Sequence, residues 1–207
     1  KNMCDQENVK VKGVVINKVI PEKVDEITYY VQRYLDSYQI PLLGVVPFAY
    51  GIDSPNILDI ETLLNSQILS RNKKPLFHAN NIKLIEITLT HFLREINSNI
   101  IKNTLFVTHA SRNDIILGFC SYAAIYKGQF GKYWNNALVI CDDNYLEPSI
   151  KTIVEKCQAP IISVSESTSE IILKINQSTA KFNAEDPIRT KMAIDHYTNY
   201  IDINKII

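Results

Sequence analysis

Between residues 103 and 176, short apolar runs rich in β-branched residues alternate with longer amphipathic segments, and this alternation constrains the fold more than any other feature. "NTLFVTH", "ALVICD" and "APIISVS" are short and almost continuously apolar, as expected of strands buried on both faces. Between them, "RNDIILGFCSYAAIY" places Ile115, Phe119 and Tyr122 on one side of a helix. "EPSIKTIVEKC" predicts a second helix with Pro148 at its start. "STSEIILKIN" predicts a third, opened by a capping box of Ser167 and Glu170. "DPIRTKMAIDHYTNYI" is expected to be a final helix with Pro187 in its first turn. A strand, a helix and another strand in this order favour a parallel, right-handed crossover. The expected class is therefore α/β: mainly parallel sheets with helices on both faces, a three-layer αβα arrangement built from βα repeats.

The first third begins in the same style. "VKGVVINKV" at residues 11–19 reads as a buried strand. Pro21 follows, and Val24, Ile27, Val31 and Leu35 recur at helical spacing. "IPLLGVVPF" is a second strand, ended by Pro47. A short helix is expected around residues 57–69. Residues 76–98 fit a strand running into a helix, or a single helix. The polar "SRNKKP" at residues 70–75 is the most linker-like stretch, and a domain boundary is placed there.

Composition removes several classes of function. The 22 basic residues equal the 22 acidic ones, so no basic surplus points to nucleic acid. No apolar run approaches the roughly 18 residues that span a bilayer, so no membrane insertion is expected. The polar N-terminus lacks a secretory core. The four cysteines form no CxxC pair, and Cys120 and Cys141 read as small buried hydrophobes. That usage fits a reducing compartment: the cytoplasm, or an organelle matrix in a eukaryote. His78, His91, His109 and His196 lie far apart without metal-ligand spacing, so no metal site is expected.

The polar knot His109-Ala110-Ser111-Arg112-Asn113-Asp114 interrupts the apolar pattern between a strand and a helix. His109, Ser111 and Asp114 have the composition of a hydrolase triad. Triad members come from separate elements, however, and no glycine flanks Ser111 as a nucleophile elbow requires, so no catalytic residue is assigned. Ser111 and Asp114 match a capping box at the helix start. The knot also sits where open parallel sheets bind ligands, at a strand's C-terminal end, with free helix amides beside Arg112. Thr108, Ser111, Arg112, Asn113 and Asp114 are therefore candidates to hold a small anionic metabolite. Asn17 and Lys18, ending the first strand, are candidates for nucleotide-base recognition. "GQFGKYW" at residues 128–134 lacks the GK[ST] of a phosphate loop and is expected to be a loop.

The segment "LFVTHASRNDIILGF" resembles the opening of the DRTGG domain. "ALVICDDNYLEPSIKTIVEKCQAPIISVSESTSEIILKI" is similar to its later strands, and "DPIRTKMAIDHYTNYID" to its final helix. "VKGVVINKV" and "IPLLGVVPFAYGIDSPNILDI" resemble the last strands of a dethiobiotin-synthetase-like P-loop domain. This order is that of the N-terminal region of long phosphate acetyltransferases. Arg112 and Asp114 match the DRTGG pattern, but the preceding aspartate is Ser111 here. The resemblance implies residues 1–74 as the C-terminal part of a P-loop domain and residues 75–207 as a DRTGG-type domain. A phosphate loop would precede Lys1 and an acetyltransferase domain would follow Ile207. No cofactor is evident, and ATP or another nucleotide is expected only with an upstream phosphate loop. The implied role is regulatory and oligomer-forming. The alternatives are a fragment of an active phosphate acetyltransferase or P-loop ATPase, and an accessory subunit of a larger assembly. The expected partners are copies of this chain, or a larger assembly.

Overall fold

A computed structural model describes residues 4, 6–49, 51–70, 78–98, 101–178 and 186–203. The chain forms two compact units, one of Lys1–Ile52 with Phe182–Ile207 and one of Asp53–Lys181. The boundary expected at 74/75 lies outside the described residues.

The second unit is built on strands β3 (Asn81–Leu84), β4 (Thr104–His109), β5 (Asn136–Cys141) and β6 (Ile161–Ser163). They lie side by side in sequence order, all parallel. Its helices are α2 (Ile57–Leu63), α3 (Leu89–Asn97), α4 (Asn113–Phe130), α5 (Pro148–Glu155) and α6 (Thr168–Gln177). Strand alternation divides the core in two. Phe106, Leu138, Ile140 and Ile161 pack with Phe92, Phe119 and Val154 of α3, α4 and α5. Leu105, Val107, Val139 and Ile162 pack with Ile60 and Ile171 of α2 and α6. Three successive crossovers of one hand place α3, α4 and α5 on one face, and the elements outside them cover the other. This is the expected three-layer αβα arrangement. Of the two readings of residues 76–98, the described part, residues 78–98, is a strand (β3) followed by a helix (α3). The first core is aromatic: Phe106 meets Phe92 edge-on at 5.3 Å, and Trp134 meets Phe119 at 5.2 Å.

Two local expectations are corrected. The helix expected to reach residue 69 stops at Leu63, because Asn65 turns left-handed at φ 46°. Ile68 then bridges Ile162, so this stretch serves the sheet rather than a helix. Gly128, expected in a loop, lies inside α4, and the helix ends instead at Gly131, left-handed at φ 63°.

In the first unit, β1 (Val14–Val19) and β2 (Leu42–Pro47) pair in parallel across α1 (Val24–Asp36). The residues at helical spacing in α1 face inward, with Leu35 buried. Helix α7 (Pro187–Thr198) belongs to this unit: His196 Nε2 lies 2.9 Å from the Pro47 carbonyl. Asp186 caps α7, and its carboxylate pairs with buried Arg189 at 3.2 Å. The chain beyond α7 crosses Gly44 so closely that a Cβ there would stand 2.2 Å from the Tyr200 carbonyl oxygen. Only glycine admits that bridge.

Candidate functional site

The polar knot lies where the second unit's parallel strands end. The β-branched run of β4 stops at His109, and Ala110 still ties to the sheet through its N–H on the Cys141 carbonyl. Arg112 takes the N-cap position of α4, without a capping side chain. The capping box expected of Ser111 and Asp114 does not form, because each side chain is claimed by a neighbour. Ser111 Oγ lies 2.8 Å from His109 Nδ1. Asp114 is gripped by Arg112 through Nε and Nη2, both at 2.9 Å.

The tautomer of a neutral His109 ring follows from its partners. Nδ1 accepts the backbone N–H of Ser111 at 3.0 Å, so the neutral ring carries its proton on Nε2. Nε2 faces Asp142 Oδ2 at 3.4 Å, and the ring lies beside Tyr145, 5.6 Å between centroids. Ser111, His109 and Asp142 therefore stand in a line like a hydrolase relay. The Nδ1 lone pair is shared between the amide and the hydroxyl of Ser111, so it is already half committed as a base. Asp114, the acid suggested by the sequence, takes no part. No catalytic assignment follows.

Arg112 also donates through Nη2 to the Ile87 carbonyl at 2.8 Å, tying the loop between β3 and α3 to the start of α4. The guanidinium holds the Asp114 carboxyl below its usual range, and the Ile115 amide adds to this. Asp114 and the Ile87 carbonyl together occupy Nε and Nη2 of the guanidinium. Nearby, Lys174 pairs with Glu166 at 2.6 Å and lowers that carboxyl likewise. Thr108 Oγ1 and Asn113 Oδ1 at this end are buried without a hydrogen-bond partner among the described residues. Thr108 follows Phe106 by two residues and so points to the same face of the sheet, the face α4 covers.

The structure thus gathers Thr108, Ser111, Arg112, Asn113 and Asp114 at one strand end. Asn17 and Lys18 belong to the other unit. The Asn17 amide is used within that unit: its Oδ1 accepts the Lys18 N–H at 2.9 Å and its Nδ2 lies 3.2 Å from the Tyr197 hydroxyl. Sequence reading missed Asp142, Tyr145 and the Ile87 carbonyl. The run "CDDNY" carried the signal for the first two, since Asp142 ends β5 as the knot ends β4, and it turns left-handed at φ 56°. Among the described residues no group of three or more His, Cys, Asp or Glu could hold a metal ion. Among them, too, no helix is long and apolar enough to cross a membrane.

Residues 59–178 match the sequence profile of the DRTGG domain. The whole chain is 28% identical to the phosphate acetyltransferase of Synechocystis, over 29% of that protein's length. It is 22% identical to the Escherichia coli phosphate acetyltransferase, with 92% of this chain and 24% of that protein covered. The chain therefore spans less than a third of these relatives. A crystal structure of the CBS and DRTGG domains of the regulatory region of Clostridium perfringens pyrophosphatase, complexed with its activator diadenosine tetraphosphate, aligns at a TM-score of 0.42 and 11% identity. That alignment covers 92% of this chain and 91% of the other.

Proposed function

The chain belongs to the DRTGG domain family, and from that membership we propose that it is a non-catalytic, ligand-sensing region of a phosphate-acetyltransferase-like protein, with residues 108–114 as its binding element. The observation that carries this reading is the two-bond Arg112–Asp114 pair at the start of α4, beside the unpartnered oxygens of Thr108 and Asn113. A carboxylate or phosphate entering the turn competes with Asp114 for the guanidinium, so Arg112 keeps a partner while the Asp114 carboxylate is released to the helix N-terminus. The helix amides favour the incoming anion. Because Arg112 also holds the Ile87 carbonyl, the exchange alters the tie between two loops, which is how a binding event becomes a signal.

The test is calorimetric titration with acetyl-CoA, ATP, AMP and diadenosine tetraphosphate. Arg112→Ala is expected to weaken a detected ligand about tenfold, the loss of one charge-assisted pair. Asp114→Asn, which removes the competing carboxylate, is expected to tighten it. Unchanged affinity in Arg112→Ala would exclude the turn.

Residues 1–74 are read as the tail of a P-loop domain, supported by the parallel unit of β1, α1 and β2, and residues 75–207 as the DRTGG-type part. In that reading a nucleotide at Asn17 and Lys18 depends on a phosphate loop supplied from elsewhere in the protein. Oligomerisation is supported by the exposed Ile125 and Phe130 on α4, and a monomer by light scattering would count against it. The reading places the protein in the cytoplasm or an organelle matrix, in keeping with free thiols at Cys120, Cys141 and Cys157. Acetyl transfer in the intact protein is the second reading, favoured by the two full-length relatives, and the full reading frame decides it.

A further inference from the structure

A cleft opens at the other end of the sheet, where β4 and β5 begin. One six-residue strand, about 17 Å of chain, separates it from the knot. Its volume is about 540 Å³, and Lys102, Tyr126, Lys132, Tyr133, Trp134 and Asn136 are among the residues that line it. Two of the lining residues are cations and none is an acid. Lys102 and Lys132 are exposed and make no ion pair among the described residues.

Asn136 gives the cleft its polarity. The residue is fully buried. Its Oδ1 accepts the Thr104 amide at 2.8 Å, which fixes which end of the side chain is oxygen. Its Nδ2 is then a buried donor with no acceptor among the described residues. A buried amide left in that state is costly, and such groups in folded proteins are normally satisfied. The missing partner is an acceptor, and the two lysines select a negatively charged one. The Tyr126 and Tyr133 rings supply an apolar flank. A volume of this size accommodates a small metabolite rather than a bare ion.

We propose that this cleft is a binding site for a small organic oxyanion, a phosphate- or carboxylate-bearing metabolite, separate from the strand-end turn. Binding uncovers Asn136 Nδ2, which the unliganded fold buries beside the cleft, so that an oxygen of the head group accepts from it while Lys102 and Lys132 hold its charge.

Trp134 is the only tryptophan of the chain and lines the cleft, so its emission reports occupancy directly. The experiment titrates the full chain at low ionic strength with AMP, ribose 5-phosphate, inorganic phosphate and citrate. At least one is expected to give a saturable change in emission. Preference for the phosphates or for citrate identifies the head group. The double variant Lys102→Gln/Lys132→Gln, at two exposed positions, is expected to fold normally and to weaken that binding about tenfold. Arg112→Ala is expected to leave it unchanged, which separates this site from the turn. No saturation with any of the four compounds up to about 10 mM, or equal affinity in the double variant, would overturn the proposal.

Discussion

Replacing Arg112 with alanine removes three hydrogen bonds at once: two to Asp114 and one to the Ile87 carbonyl. The ion pair is partly exposed, with 28% and 44% of the two side chains accessible. A pair of that kind contributes about 0.5–1 kcal/mol. The charged bond to the Ile87 carbonyl adds about 1.5–2 kcal/mol. Asp114 keeps the favourable end of the helix dipole, so its stranded charge costs little more. The expected loss is about 2–3 kcal/mol. At roughly 4 °C per kcal/mol for a domain of this size, Tm falls by roughly 8–12 °C. Trp134 sits in the aromatic core of this unit, so a melt followed by its emission reads the right unit. The pH dependence is the sharper check. Asp114 has a depressed pKa in the fold, so its contribution is complete above the unfolded value of about 3.9 and is lost as pH falls through the lower folded value. The gap between the parent and the variant is therefore expected to be full at pH 7 and to narrow below about pH 4, leaving the part due to Ile87. Arg112→Lys keeps the charge without the fork and is expected to fall between them. Equal Tm values at pH 7, or a gap that ignores pH, would refute the reasoning.

Two further outcomes follow from burial and close approach. Burial pushes the Cys141 thiol up to about 12, and the Cys120 thiol is raised by the hydrogen bond it makes with Cys157 and by burial. In a native sample at pH 8, only Cys4 of the four cysteines is expected to react promptly with a disulfide reagent, and prompt labelling of Cys141 would contradict its placement. Gly44→Ala puts a methyl group 2.2 Å from the Tyr200 carbonyl oxygen, so the Gly44–Ile201 bridge is expected to open at a cost of about 1–3 kcal/mol. Hydrogen exchange at the Asp202 amide, which donates to Leu43, should accelerate, and unchanged protection would sink this account.

Two serines separate what was legible in the sequence from what was not. Ser167 with Glu170 and Ser111 with Asp114 present the same spacing before a helix. The first pair forms the capping box as read, with the Ser167 amide held by Glu170 at 2.9 Å. The second does not, because His109 and Arg112 offer stronger local partners and Arg112 is drawn to a carbonyl 25 residues away. Likewise the helix of residues 57–69 was legible in its apolar spacing. Its stop at Leu63 came from Asn65 and from pairing with β6, a strand nearly a hundred residues on.

The sequence by itself determined the layers. Strand alternation, helix spacing and the order of elements are local properties, and they leave a parallel sheet covered on both faces as the way to bury these residues. It also marked the strand-end turn, since polar residues between two apolar runs have nowhere else to go. Tertiary structure decided who pairs with whom. Asp142 reaches His109, Ile87 reaches Arg112, and Asn136 spends its oxygen on Thr104 and leaves its nitrogen without an acceptor among the described residues. These pairings depend on which strand ends become neighbours, and the choice among several equally short-range partners is made by the packing of the sheet rather than by any run of residues.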